Sequence, residues 1–353
     1  MNTIRKLATI RKIEEVKPIP EADKICAYRV DNWWVVDSIN KYQVNDLVIY
    51  CEVDSWIPHE LAPFLSKGQE PREYNGVKGE RLKTVKLRGQ VSQGLLLPST
   101  ILDELGLWPL AGNPVGHNLT NQLNIQKWEP PIPSQLQGTM RGNFPHFIPK
   151  TDQERCQNLR KDIFDTHKDD VYEVTTKLDG SSMTVYVKDG EVHVCSRNID
   201  LIETEGNTFW NTAREQNIID TLLELSSEKG EEYAIQGELI GEGIQGNPEK
   251  LTGHKFYLFD IYSITVGRYL KADERYSILD KLNMNGASIE HVPIIDQHVF
   301  LTTEYETIDD LLNFAEGPSL NPQTKREGLV FKSWDSDFSF KAISNSYLLK
   351  TKF

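Results

Sequence analysis

Proline and glycine punctuation near the middle of this chain constrains its fold more than any other feature. Residues 104 to 150 are rich in Gly, Pro, Asn and Gln, and the stretch WEPPIPSQLQG within them cannot lie inside a helix. Proline removes a backbone donor and fixes φ, so it marks a boundary. The 353-residue chain is therefore expected to form two domains, residues 1–103 and residues 145–353, with a linker at 104–144.

The two sides of that boundary differ in pattern. Before it run short apolar alternations broken by turn residues: LATIRKIEEV, KICAYRV, WWVVDSI, DLVIYCEV, TVKLRG and GLLLP. Closely spaced short strands with few helical periods predict a small closed sheet, an OB-like β-barrel. After the boundary, MTVYVKDGEVHVCSRN alternates on both sides of Asp189-Gly190, the signature of a hairpin whose type I′ turn needs two residues at positive φ. Ile218, Leu222 and Leu225 recur at helical spacing, and YAIQGELIG, KFYLFDIYSI and GLVFKSW read as strands. The class is thus α+β, a barrel followed by an antiparallel-rich domain. Thr151 or Asp152 is expected to cap a helix carrying the Gln/Arg-rich run that follows.

A net charge of -13 disfavours nonspecific nucleic-acid binding by the surface as a whole. One basic run survives in it: VKGERLKTVKLRG sets Lys78, Arg81, Lys83, Lys86 and Arg88 against Glu80 alone. With Trp33, Trp34, Trp56 and Tyr74 as stacking platforms, this run suits a nucleic-acid grip near a break in a duplex. The cysteines Cys26, Cys51, Cys156 and Cys195 are scattered, without zinc or disulfide spacing, and are expected to be buried. No apolar run is long enough to span a bilayer, and the start MNTIRKLATIRKIEEVKPIP lacks the apolar stretch of a secretory signal, so an intracellular protein with no membrane partner is expected. His146 and His167 have no partners in spacing and take no role.

TTKLDGSSM places Lys177 at the end of a strand-like run, with Asp179 on the same face if the segment is extended and Gly180 leaving room for a phosphate. A lysine nucleophile must lose its proton, which needs desolvation or neighbouring cations. Taken alone, the stretch better suits an exposed turn. Further along the chain lie Arg197 in SRN, Glu238 in QGELIG, Tyr257 and Phe259 in FYLFDI, Glu327 in EGLVFK and Lys341 in FSFKAIS.

In that order these stretches resemble the five motifs of the covalent nucleotidyltransferases, the superfamily of polynucleotide ligases and messenger-RNA capping enzymes. LRGQVSQGLLLP resembles a stretch of tRNA-binding OB domains, and FPHFIPKTDQER stands between the two halves. An OB domain placed before the transferase resembles the fifth family of RNA ligases. The resemblance implies an ATP-grasp-like ligase domain and an ATP-dependent reaction with Mg2+ or Mn2+. Lys177 would take AMP, pass it to an RNA 5′-phosphate and so allow a 3′-hydroxyl to seal the strand, in the repair of broken RNA.

The resemblance further implies roles for single residues. Lys341 would neutralise the α-phosphate and help depress the pKa of Lys177. Arg197, Glu238, Tyr257, Phe259, Glu327 and Lys150 would bind ATP, with Asp179, Glu238 and Glu327 holding the metal through water. The fifth motif has one lysine, and Lys350 and Lys352 follow it. The partners implied are RNA and ATP, for a monomer. Two other readings remain at this level: a capping-type guanylyltransferase or DNA ligase, against which no C-terminal OB domain is expected, and an RNA-binding OB protein with an inactive transferase domain.

Overall fold

Alternating apolar residues in the first third of the chain put one face of each short strand into a shared interior. In the computed structural model, which describes residues 5–109, 114–130 and 138–350, the described residues divide into two compact units, one on each side of residues 131–137. In the first, Leu47–Cys51 lies between Ala8–Lys12 and Leu95–Pro98, and Ile25–Val30 lies between Glu15–Pro18 and Trp33–Ser38. Ser55–Pro58 and Val77–Arg81 pair in a further sheet. Ile10, Ile49 and Leu97 belong to one buried cluster, and Tyr28, Trp33 and Tyr50 to another. This is the OB-like barrel region the pattern predicts.

The expected linker at 104–144 contracts. Leu119, Leu123 and Ile125 are buried in the same cluster as Ile10 and Leu97, the Leu119 N–H donates to the Ala8 carbonyl, and Gln126–Lys127 pairs with the Ser55–Pro58 strand. Three apolar side chains in an otherwise polar stretch thus carry residues 114–130 onto the first unit. Met140–Asn143 pairs with Ile199–Leu201 in the second. Residues 110–113 and 131–137, with most of the proline-rich stretch, lie outside the described residues.

The second unit holds two sheets. The larger runs Met140–Asn143, Ile199–Leu201, Glu191–Cys195, Ser181–Lys188, Tyr233–Gly241, His254–Ser263 and Arg268–Tyr269, with Glu290–His291 also on His254–Ser263. The smaller runs Glu154–Arg155, Ser339–Ile343, Gly328–Ser333, Val171–Lys177 and Ile294–Phe300. The predicted hairpin forms, with Asp189 at φ 51° and Gly190 at φ 79°. Ile218, Leu222 and Leu225 are fully buried on the helix Ile218–Lys229. All four cysteines are free and buried.

The helix expected after Thr151 or Asp152 does not form. Glu154–Arg155 instead pairs in parallel with Ser339–Ile343, followed by one tight turn at Cys156–Asn158. Arg155, Cys156 and Gln157 are all buried, so three successive side chains are enclosed where an amphipathic helix would expose some of them.

Candidate active site

Lys177 ends a central strand of the smaller sheet, where it stands in register with Gly328. Glu327 precedes the Gly328–Ser333 strand, and Lys177 Nζ donates to its Oε2 at 2.8 Å. Glu327 is held from both sides. The Ser344 N–H donates to its carbonyl at 2.9 Å, and the buried Arg326 guanidinium donates to the carbonyls of Phe314, Ala315 and Glu316 at 2.6 to 3.0 Å. At Gly180 a side chain has no room, since a Cβ there would lie 2.4 Å from the Leu239 carbonyl oxygen. That close approach brings the turn after Lys177 against the strand carrying Glu238.

Burial pulls the Lys177 amine down, but Glu327, then Glu238, and Asp179 outweigh it, and its pKa rises above the ordinary lysine value. The expected depression by Lys341 is thereby corrected: Lys341 Nζ lies 3.3 Å from Asp152 Oδ1. Burial, with Glu327 and Asp179, pushes Glu238 up to about 8 despite Lys177. Burial and Glu327 likewise push Asp179 up to about 6. Three carboxylates around one ammonium leave a surplus of negative charge that a divalent cation would relieve. Among the described residues no group of three His, Cys, Asp or Glu is placed to ligate a metal directly.

Arg197 and Lys150 meet at the near end of the larger sheet. Arg197 Nη2 is 3.4 Å from Asp152 Oδ2, and Lys150 Nζ donates to Asn198 Oδ1 at 2.7 Å. Tyr257 and Phe259 pack into one cluster with Leu178 and Ile240. The register shifts between Gln236 and Gly237 so that Phe259 stands unpaired as a bulge, while Tyr257 faces Glu238. Tyr257 is buried and Phe259 half-buried, with Lys332 Nζ 5.7 Å over the Phe259 ring. Lys332 Nζ also donates to the Phe259 carbonyl at 2.6 Å and pairs with Asp260 at 2.8 Å. Sequence reading missed Lys332, although it shares the EGLVFK stretch with Glu327. His167 stacks on Phe338 at 4.2 Å and faces Asp170 at 3.1 Å, a local brace. Lys350 ends the last helix, and Lys352 lies outside the described residues.

In the first unit the basic run is partly committed. Lys78 pairs with Glu70 at 2.8 Å, and Arg81 pairs with Asp54 at 2.7 Å while lying 3.7 Å over the Trp128 ring. Lys86 and Arg88 are exposed on the hairpin formed by Val85–Leu87 and Gln90–Ser92. Burial, then Arg81 and Arg72, lowers the pKa of Lys83. Trp33 and Trp56 are buried, leaving Trp34 and Tyr74 half-exposed. Trp128 is half-exposed too and went unseen in the sequence because it sits in the supposed linker.

Comparison with known proteins follows this geometry. The RNA ligase family model matches residues 170–343, and an OB-fold domain model matches residues 7–99. Among solved structures, an RNA ligase of Naegleria gruberi, as a point mutant with ATP and Mn, is 48% identical with a TM-score of 0.87, covering 99% of this chain and 100% of that one. The same enzyme with PPi matches at 48% identity and a TM-score of 0.86, covering 98% of each chain. No curated protein matches the chain.

Proposed function

The chain belongs to the RNA ligase family, and on that premise we propose how this protein, an ATP-dependent RNA ligase, divides its reaction among its residues. The observation that carries the assignment is Lys177, held 2.8 Å from Glu327 among three carboxylates at the end of its strand. Lys177 Nζ attacks the α-phosphorus of ATP, an N–P bond forms, and the bond to the β-phosphate breaks to release pyrophosphate. The amine must shed a proton to attack, and Glu327 Oε2 is an acceptor within hydrogen-bond distance. An RNA 5′-phosphate then displaces the lysine from AMP, and an RNA 3′-hydroxyl displaces AMP to seal the strand.

Phosphoryl transfer depends on positioning and charge neutralisation. Lys341 faces the α-phosphate, Arg197 the run of ATP phosphates and Lys150 the pyrophosphate, and Phe259 stacks on adenine beside Tyr257. Asp179, Glu238 and Glu327 would hold Mg2+ or Mn2+ through water, and such an ion, when bound, neutralises phosphate charge. The relative's structures with ATP, AMP and Mn support ATP with a divalent ion as this protein's partners.

Residues up to 130 form the RNA-gripping domain, with Lys86 and Arg88 as its foremost cations beside Lys83, and Lys78 and Arg81 held in ion pairs. The substrate is a nicked or broken strand in a duplex, sealed by a monomer inside the cell. No helix among the described residues is long and apolar enough to cross a membrane. The test is ATP or GTP labelled at the α-phosphate. Label from ATP is expected on the denatured chain at Lys177 and absent from Lys177→Ala; label persisting on that variant, or coming from GTP alone, would sink the assignment.

A further inference from the structure

Asp152 lies in the segment expected to cap a helix, and its carboxylate does something else. Oδ1 is 3.3 Å from Lys341 Nζ and Oδ2 is 3.4 Å from Arg197 Nη2. Arg197 follows a strand of the larger sheet and Lys341 lies within the smaller one, so a single carboxylate joins the cations of both. The backbone that delivers it is fixed along its length. Gln236 Nε2 and Tyr269 Oη donate to the Pro149 carbonyl at 3.0 and 3.4 Å. Thr151 Oγ1 meets Ser182 Oγ at 3.3 Å, and Arg155 stands in parallel register with Lys341. Three residues from Arg155, the carboxylate has little freedom to be elsewhere.

One oxygen on each of two cations is how a phosphate would bridge the same pair. We propose that Asp152 is the resident competitor for the phosphate-binding cations: it holds Lys341 and Arg197 together, yields them to the incoming nucleotide, and recovers them as pyrophosphate and then AMP depart. This rests on the roles proposed above for Lys341 and Arg197. Asp152 would then set the affinity for ATP and pyrophosphate without touching the reacting atoms, which makes it a positioning residue. Its pairs are partly exposed, with 34% of the Asp152 side chain and 45% of the Arg197 side chain accessible, and exposed pairs are weak. The competition is thus modest, about three- to tenfold in affinity, within the span such pairs allow.

The test uses the full chain with Asp152→Asn and Asp152→Ala, and Glu154→Gln as a control that removes a nearby charge outside the bridge. Inorganic pyrophosphate binding is measured by titration, and lysyl-AMP formation by single turnover across ATP concentrations. Both Asp152 variants are expected to bind pyrophosphate about three- to tenfold more tightly than wild type. Their KM for ATP should fall in parallel with no gain in rate at saturating ATP, while Glu154→Gln stays within about twofold of wild type. Unchanged or weaker pyrophosphate binding, a raised KM for ATP, or an equal gain in Glu154→Gln would overturn the proposal. If wild type forms no lysyl-AMP at all, the ligase roles fail, and the pyrophosphate titration still decides what Asp152 does.

Discussion

Glu238 holds a charge that its surroundings resist. Burial, reinforced by Glu327 and Asp179, keeps its carboxyl protonated up to about 8, against an ordinary value of 4.5. Between those values the folded protein binds more protons than the unfolded chain, so stability is full below the ordinary value and is lost as pH rises toward the folded one. Asp179 contributes in the same sense up to about 6. Lys177 does not, because its pKa lies above this window. Glu238→Gln removes the larger liability. Between about pH 5 and about pH 8 its melting temperature should fall less than that of wild type, by a margin on the order of 5 °C. Saturating magnesium should flatten the wild-type curve. Parallel curves for the two proteins would mean that Glu238 titrates near its ordinary value.

The two sheets of the second unit are joined behind this cluster by buried charge. Glu173, on the strand that ends at Lys177, accepts from Arg275 at 2.5 Å and from Tyr276, both on the helix Ala272–Met284. Arg275 also lies 3.8 Å from Asp260, which pairs with Lys332. Burial lowers the pKa of Lys332 and Arg275 adds to that, whereas Arg275 and Tyr276 overcome burial to lower that of Glu173. Removing one member strands another in a low-dielectric interior, so Arg275→Met should cost about 3–5 kcal/mol in urea unfolding. A loss below about 1 kcal/mol would place the network among surface pairs.

This network also marks the limit of what could be read from the sequence. Lys177, Asp179, Glu238, Glu327 and Lys341 were picked out by the order of stretches resembling the ligase motifs, since each stretch alone suits an ordinary turn or strand end. Lys332 and Arg275 were not, because nothing local distinguishes a lysine on a strand or an arginine on a helix that meets a distant carboxylate. The barrel strands were legible from alternation. Leu119, Leu123 and Ile125 were hidden by the polar residues between them, and Asp152 looked like a cap because capping and ion pairing use the same side chain.

Across the whole molecule the net charge of -13 opposes RNA, whose phosphates any such ligase must approach. Affinity must then come from a local surface, and the exposed Lys86 and Arg88 stand on a hairpin whose Val85 and Leu87 are 43% and 40% exposed. No acidic residue occurs in RLKTVKLRG, residues 81–89, so the field there is positive against the molecular average. Each phosphate contact releases counterions and adds roughly one to the slope of log affinity against log salt. Replacing Lys86 and Arg88 with Glu should therefore reduce that slope for RNA by about two. Sealing of preadenylylated RNA should fall by roughly tenfold or more, while lysyl-AMP formation stays within about twofold. A parallel fall in both steps would mean that the hairpin supports the fold and that RNA is gripped elsewhere. An unchanged salt slope with sealing intact would leave the positive field without a partner, and the RNA would then have to be held by the cations around Lys341 alone.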